Sequence, residues 1–559
     1  MKKERSVVGW HVLPLFGKEG EGEILKSPCI PLCLRGIIIF IALAFSCALA
    51  TAEIPHLGYV YPAGGKQGTT FELITGGKYL KGALSANVMG EKVFAQVIGN
   101  INPEDILPEE KPAKNKLDKA EKGKKGKKKK LKDAQFPDAV KLKVIIMEGA
   151  EPGDRELRLI TAAGLSNKLT FQVGMLNEMN ETEPNNRREQ ADEITSLPLL
   201  INGRIMPGDV DVFHLTARRG QSLVIKADVR KLMPYLADAV PGWFQASMAL
   251  YDKKGNELAH ADNFLFNQEP VLLYDITENG EYYAEIRDSI YRGREDFVYR
   301  VSIGELPFVT RISPICGRFE TPIKVSLFGR NLPVKTLDVY SEDRERPIQF
   351  LRLGKEEPVL NNVPFGFTDI PQVDKNGVAG TRENPQVVVL PVSINGTIDA
   401  PGEKDYFSFE GKESQQVIIE VTARRLGSPL DSIIAVYNSA GEKLAENDDG
   451  PTYKWDGVIT HHADSELAVK IPKGGVYRVC ISDVQGKGGE EYAYRLRISR
   501  PLPDFALYSV PPNINLPRGG TGSFMIHVQR KDGFDGPVRL ALKNTSGGLR
   551  LDSAVVPRW

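Results

Sequence analysis

Two clusters of oxygen-bearing side chains stand about twenty residues apart: Glu181-Thr-Glu-Pro-Asn-Asn186, and Gly208-Asp-Val-Asp-Val-Phe213. Carboxylates mixed with carboxamides suit a hard divalent cation, and Ca2+ takes roughly six to eight such oxygens. Alternate residues of an extended segment project to one side, so Glu181, Glu183 and Asn185 share a face, with Asn186 beside them. By the same period Asp209 and Asp211 share a face. Pro184 keeps the first segment out of a helix. Two such segments meeting over one cation would clamp a linker onto a folded body. The plainer reading is a polar linker and a surface turn that never meet.

Other chemistry finds little support. There is no Gly-x-Ser-x-Gly elbow, no His-Glu-x-x-His and no Gly-x-x-x-x-Gly-Lys-Ser/Thr loop. His461-His462, beside Asp464, is the one histidine cluster. Neighbours in a strand point to opposite faces, so the two imidazoles read as a surface pair. Asn447-Asp-Asp-Gly450 reads as a hairpin loop before it reads as a second cation turn. Asp and Glu are plentiful enough for a carboxylate-pair hydrolase, but nothing singles out a pair. No catalytic residue is assigned, and the expected class is a non-enzyme. Trp243-Phe244 reads as core first and as an exposed carbohydrate- or protein-binding platform second.

The elements that would hold these residues are strands. At 559 residues, 41% hydrophobic and 26% charged, the chain fits four or five ordinary globular domains. Short runs rich in Val, Ile, Phe and Tyr, separated by Gly and Pro, predict an all-β protein of tandem β-sandwiches. The formal net charge of zero conceals a separation. Lys111 to Lys132 holds twelve Lys against Asp118 and Glu121, a local +10, and the first 52 residues carry +2. The remainder therefore carries −12, which suits cation binding and argues against a specific nucleic-acid grip by the folded domains.

Residues 1–52 read as a secretion signal. Arg35 precedes the apolar run Gly36–Ala50, which is short for a membrane span, and Ala48-Leu-Ala50 or Ala50-Thr-Ala52 supplies small residues for cleavage. The expectation is a secreted or cell-envelope protein with no membrane span after cleavage. Only Cys316 and Cys480 follow the signal; they read as two buried free thiols.

Along the chain, residues 53–174 read as one β-domain with a Lys-rich insertion at 103–137. The composition of that insertion predicts a disordered loop. It reads as a solvated insertion first, and second as a contact for anionic polymers. Residues 175–306 form a second β-domain and 307–380 a third. In 381–500 the second type returns. Gly203 is answered by Gly396 at 193 residues, Phe213 by Phe407 at 194, and Tyr299 by Tyr494 at 195. Order and spacing held over a whole domain indicate an internal repeat. Here Thr381-Arg-Glu-Asn-Pro385 reads as the poorer counterpart of the acidic linker, with Glu403 and Asp405 at the later loop; weak or no metal is expected. Residues 501–559 read as an incomplete immunoglobulin-like domain, so the chain is expected to be a fragment of a longer protein.

Two family resemblances add to this. Pro62, Gly65, Ile74, Gly76, Leu80, Gly164, Ser166, Asn167, Phe171 and Val173 resemble the immunoglobulin-like IPT/TIG pattern, as does the stretch from Arg311 to Leu332. Glu183-Pro-Asn-Asn186, Gly203, Asp209-Val-Asp-Val-Phe213, Asp252, Gly255 and Tyr282 resemble the bacterial pre-peptidase C-terminal (PPC) domain, a sandwich related to collagen-binding domains. The alternation of the two is similar to large secreted proteins of planctomycete-type bacteria. The PPC resemblance implies a non-catalytic accessory module. It also implies a Ca2+ site drawing on Glu181, Glu183, Asn185, Asn186, Asp209 and Asp211, with Asn186 standing where Asp is usual. The function expected is that of a binding or structural protein outside the cell, with an extracellular protein or polysaccharide as partner. The alternative is the accessory region of a secreted hydrolase whose catalytic domain lies elsewhere.

Overall fold

A computed structural model describes residues 54–105, 136–232, 244–351, 353, 359–376, 380–455, 458–460, 463–516, 519–543, 548–552 and 555–558. The signal at 1–52, the run from Lys111 to Lys132, Trp243 and His461-His462 lie outside the described residues. The chain is all-β. Among the described residues the only helices are single turns of 3-10 type, and none is long and apolar enough to cross a membrane.

The first body packs a four-stranded sheet against a five-stranded one around Leu73, Val140, Leu142, Leu157, Leu159 and Phe171. The second is a sandwich of two five-stranded sheets. One runs in the order Asn177–Asn180, Leu199–Arg204, Val298–Gly304, Ser222–Asp228, Val271–Asp275. The other runs Asp192–Ile194, Val210–Ala217, Gly280–Asp288, Ala246–Asp252, Glu257–Ala261. In each sheet the first strand is short and pairs in parallel with its neighbour, whereas the other ladders are antiparallel. Both short strands belong to the linker. The acidic run between them therefore crosses from one sheet to the other along the open edge of the sandwich.

Strand period explains what meets that crossover. In Val210–Ala217, Phe213 and Leu215 point inward and join the core with Ile201, Ile225 and Leu250. Asp211 lies two residues before Phe213 and shares its face. An aspartate thus takes a core position at the end of the strand, and it is fully buried.

A third body of two three-stranded sheets follows, and then a second five-plus-five sandwich. Its sheets run Gln372–Asp374, Val392–Thr397, Ala493–Ser499, Gln416–Thr422, Glu466–Lys470, and Gln386–Val387, Lys404–Gly411, Gly475–Asp483, Ser432–Tyr437, Lys443–Asn447. Strand order and the two parallel entries match the first sandwich. Two sequence expectations need correction here. The strand Gln372–Asp374 pairs with Val392–Thr397, so the second sandwich begins before residue 381. Its crossover lies between Asp374 and Gln386, and its first residue is Lys375, six positions ahead of Thr381. The last part of the chain holds two separate strand pairs, Asp504–Val510 with Met525–Lys531 and Val538–Arg539 with Val555–Val556.

Each sandwich sits on the body before it through equivalent residues. Arg300 is buried and donates to Asn202 Oδ1 (2.9 Å) and Glu178 Oε1 (2.7 Å), lying against Gly64 of the first body so closely that a Cβ on Gly64 would fall 2.4 Å from its Nη1. In the second pair of bodies Asn395 and Gln372, which hold the register positions of Asn202 and Glu178, both donate to the carbonyl of Cys316 (3.1 and 2.8 Å). Breaking a buried ion pair by removing one partner costs about 3–5 kcal/mol. Arg300→Ala should therefore lower stability in chemical denaturation by about that amount. A loss below about 1 kcal/mol, the range of an exposed pair, would show that the junction does not depend on it.

Candidate metal centre

The crossover and the strand end come together. One carboxylate oxygen each from Glu183, Asp209 and Asp211 can be chosen so that all lie within 4.8 Å of one another. Asp211 Oδ2 accepts a hydrogen bond from the Tyr299 hydroxyl at 2.6 Å, while Asp211 Oδ1 is buried and has no hydrogen-bond partner. The same hydroxyl lies 2.9 Å from Glu181 Oε2, and Glu181 Oε1 accepts from the Arg204 amide at 2.8 Å. One phenolic hydrogen cannot serve both carboxylates, so charge remains uncompensated between Glu181 and Asp211.

Backbone hydrogen bonds set the positions. The Glu181 amide donates to Asn202 O (2.9 Å) and the Val212 amide to Asn185 O (3.2 Å), pinning the crossover at both ends. The Asn185 amide donates to Glu183 Oε2 (3.3 Å), and the Met206 amide to Asp209 Oδ2 (3.1 Å). Gly203 has to be a glycine: a Cβ there would lie 2.1 Å from the Tyr299 hydroxyl and 2.2 Å from Glu181 Oε2.

Of the six sequence-predicted residues, Glu183, Asp209 and Asp211 converge; Glu181 is tied to Asp211 through the Tyr299 hydroxyl, and Asn185 reaches Glu183 and Val212 through its backbone. Glu181, Glu183, Asp209 and Asp211 supply carboxylates. Asn185 is fully buried, and neither its Oδ1 nor its Nδ2 has a hydrogen-bond partner. Asn186 does not join: it is exposed, on the opposite face of the extended run. Tyr299 and Tyr61 were not identified as site residues by sequence reasoning. Tyr299 lies 118 residues from Glu181 and had only its repeat position as a signal. Tyr61 comes from the first body, where its hydroxyl reaches Asn202 O (3.4 Å) and its ring lies under the Arg204 guanidinium (4.7 Å).

Electrostatics mark the strain in this arrangement. Burial pushes Glu181 up to about 8 and Glu183 up to about 7; for Glu183 the nearby Asp209 adds to the shift. Burial and the charges of Glu181 and Asp209 raise Asp211 well above the usual carboxylate range. Burial first, then the charges of Glu181, Asp211 and Glu183, raise the Tyr61 hydroxyl. Without a cation, Glu181 and Glu183 therefore hold their protons to a higher pH than free carboxylates do.

No family model matches the chain. Over 83 residues it is 32% identical to a probable subtilase-type serine protease of Deinococcus radiodurans, which spans 15% of this chain and 10% of that protein. Among solved structures, the pre-peptidase C-terminal domain of a collagenase from Bacillus anthracis is 13% identical, covering 20% of this chain and 93% of that one at a TM-score of 0.15. The secreted serine protease VesC of Vibrio cholerae is 10% identical, covering 47% and 52% at a TM-score of 0.14. A glucan-locus protein of Bacteroides ovatus in complex with a mixed-linkage heptasaccharide is 8% identical, covering 76% and 72% at 0.13.

The raised carboxylates fix the sign of a pH effect. A group whose folded pKa exceeds its unfolded value stabilises the fold below the unfolded pKa and loses that contribution as pH rises through the folded one. For Glu181 and Glu183 the window runs from the ordinary 4.5 to about 7–8. In chelator, the melting temperature of this sandwich should fall as pH rises through that window. Glu181→Gln should flatten the fall; a flat wild-type profile would show that the carboxylates are not strained.

Proposed function

We propose that the chain is a secreted, non-catalytic binding or structural protein in which a Ca2+ ion at Glu183, Asp209 and Asp211, with Glu181 and Asn185, fastens the crossover to the first five-plus-five sandwich. The observation that carries this reading is a carboxylate cluster in which Asp211 Oδ1 is buried and unpartnered, joined by Asn185, whose amide donates to Glu183 Oε2 and whose own buried Oδ1 has no partner. An unsatisfied buried polar group costs about 1–3 kcal/mol, and more when charged. A cation removes that cost for several groups together. The donor set is all oxygen, with carboxylates and a carboxamide and no His or Cys. That chemistry suits a hard cation, and the number of available oxygens suits calcium better than magnesium, which keeps more of its waters.

When bound, the ion would supply positive charge to neutralise the carboxylates and would cross-link residues on either side of the sandwich edge. The protein's own residues do the rest. Tyr299 orients Asp211 and Glu181, Gly203 leaves room for them, and the Asn185–Val212 backbone bond closes the crossover. Tyr61 and Arg204 carry the effect to the first body, so the ion also stiffens the junction between the two. A binding surface presented by several sandwiches in series profits from fixed junctions. An extracellular protein or polysaccharide is the class of partner this suits.

A second reading makes the chain an accessory region of a secreted hydrolase. The 83-residue likeness to a probable subtilase-type protease favours it. A reading frame running past Trp559 into a peptidase motif would support that reading over a stand-alone role.

Calorimetry of the whole chain tests the metal. A ligand that binds only the folded state at a hundredfold excess over its Kd adds about 2.7 kcal/mol. One thermal transition should move upward with calcium relative to chelator, and Asp211→Asn should abolish the shift. An unmoved thermogram at millimolar calcium rules the site out.

A further inference from the structure

We infer that the second five-plus-five sandwich carries its own cation: the ε-ammonium of Lys375 stands where the first sandwich takes a divalent ion, so calcium acts on one of the two repeats and not on the other. The inference rests on the calcium reading only for the identity of the ion in the first repeat.

Register makes Lys375 the counterpart of Glu181. The Lys375 amide donates to Asn395 O at 2.7 Å, as the Glu181 amide does to Asn202 O at 2.9 Å. The next amide in each copy donates to the residue that opens the second sheet: Asn376 to Gln386 Oε1 (2.9 Å) and Thr182 to Asp192 Oδ2 (2.7 Å). Farther on, Arg382 lies over the Tyr437 ring (5.3 Å) as Arg188 lies over Tyr251 (5.0 Å). The strand end is reproduced too. Tyr494 donates to Asp405 Oδ2 at 2.6 Å, the distance of Tyr299 from Asp211 Oδ2. The Ala400 amide donates to Glu403 Oε2 (2.9 Å) as the Met206 amide does to Asp209 Oδ2 (3.1 Å).

Into this conserved frame the second copy places a positive charge. Lys375 Nζ lies 3.0 Å from Asp399 Oδ2, 2.9 Å from Glu403 Oε1 and 3.0 Å from Asp405 Oδ1, and it donates to Thr397 O at 2.6 Å. The lysine side chain is only 6% exposed. Asp405 Oδ1 has this close ion pair but no aligned hydrogen bond, and its counterpart Asp211 Oδ1 has neither. Four oxygens around one nitrogen make the coordination set of a small cation. An ammonium has three hydrogens to donate and fills it without a metal.

The balance of carboxylates against the proposed cation agrees, the Arg204 guanidinium that acts on Glu181 in the first copy left aside. The first copy assembles four carboxylates, and a 2+ ion would leave −2. In the second, three carboxylates and one ammonium also leave −2. From Asn376 to Gly380, the positions that answer Thr182 to Asn186, the second crossover carries no carboxylate, and its one acidic residue is Glu383 farther on.

Calcium titration calorimetry of the full, chelator-stripped chain at mildly alkaline pH tests this with reciprocal variants. Wild type should take up one calcium per chain, Lys375→Glu two, and Glu181→Lys none. In chelator, Glu181→Lys should melt its first sandwich near the temperature of the calcium-loaded wild type, since it brings its own cation. A folded Lys375→Glu that still takes up one ion, or a wild type that takes up two, overturns the inference. So does a Glu181→Lys chain that melts no higher than chelated wild type or fails to fold, which decides the matter should Lys375→Glu not fold. A wild type that binds none while Lys375→Glu binds one would sink the calcium reading of the first repeat and leave this one standing.

Discussion

The structure turns on a like-charge problem created at the end of one strand. Asp211 occupies an inward position of Val210–Ala217, and the crossover delivers Glu181 and Glu183 to the same place. Several carboxylates withdrawn from water repel one another and lose hydration. Protonation, a metal ion or a built-in cation can relieve this, and each has a different consequence. Protonation makes the fold pH-dependent. A metal makes it depend on calcium supply. A lysine fixes it permanently.

The two repeats show how little else has to change. Tyr494 does for Asp405 what Tyr299 does for Asp211, and Gly396 makes room for Tyr494 as Gly203 does for Tyr299. The frame is a tyrosine donor, a glycine opposite it and an aspartate in a core position. Residue 181 or 375 then sets the sign of the local charge. Because this position is the first of the crossover, a single substitution would, on the proposed reading, separate a chain segment that takes an external ion from one that does not.

Much of this was legible in the sequence, for physical reasons. Strand period two put Glu181, Glu183 and Asn185 on one face and made Asp209 and Asp211 neighbours of Phe213. The repeat was visible because core positions such as Phe213 and Phe407, or Tyr299 and Tyr494, cannot drift in spacing without breaking the sheets. The second acidic run is misplaced because the alignment seeks carboxylates, and the positions that answer Glu181 and Glu183 are Lys375 and Gly377. Thr381-Arg-Glu-Asn-Pro385 resembles the motif by composition, but the hydrogen bond from Lys375 to Asn395 O sets the true register. Tyr299 and Tyr61 were illegible as site residues because each approaches through tertiary packing, from a distant strand and from another body.

Placement of the site at a junction gives it a reach beyond its own sandwich. Arg204 lies next to the glycine that faces Tyr299, and its guanidinium covers the ring of Tyr61 in the preceding body. Arg300, on the strand that carries Tyr299, closes the same junction from the other side through Asn202 and Glu178. Any change in how Glu181 and Asp211 are neutralised therefore bears on residues that hold two bodies together. In the second pair of bodies Asn395 and Gln372 donate to the carbonyl of Cys316, Arg495 at the register position of Arg300 acts on the Cys316 thiol, and Lys375 pairs with the neighbouring carboxylates. On this account the first junction is conditional and the second constitutive, and a chain built this way can be stiff at one joint and responsive at the other.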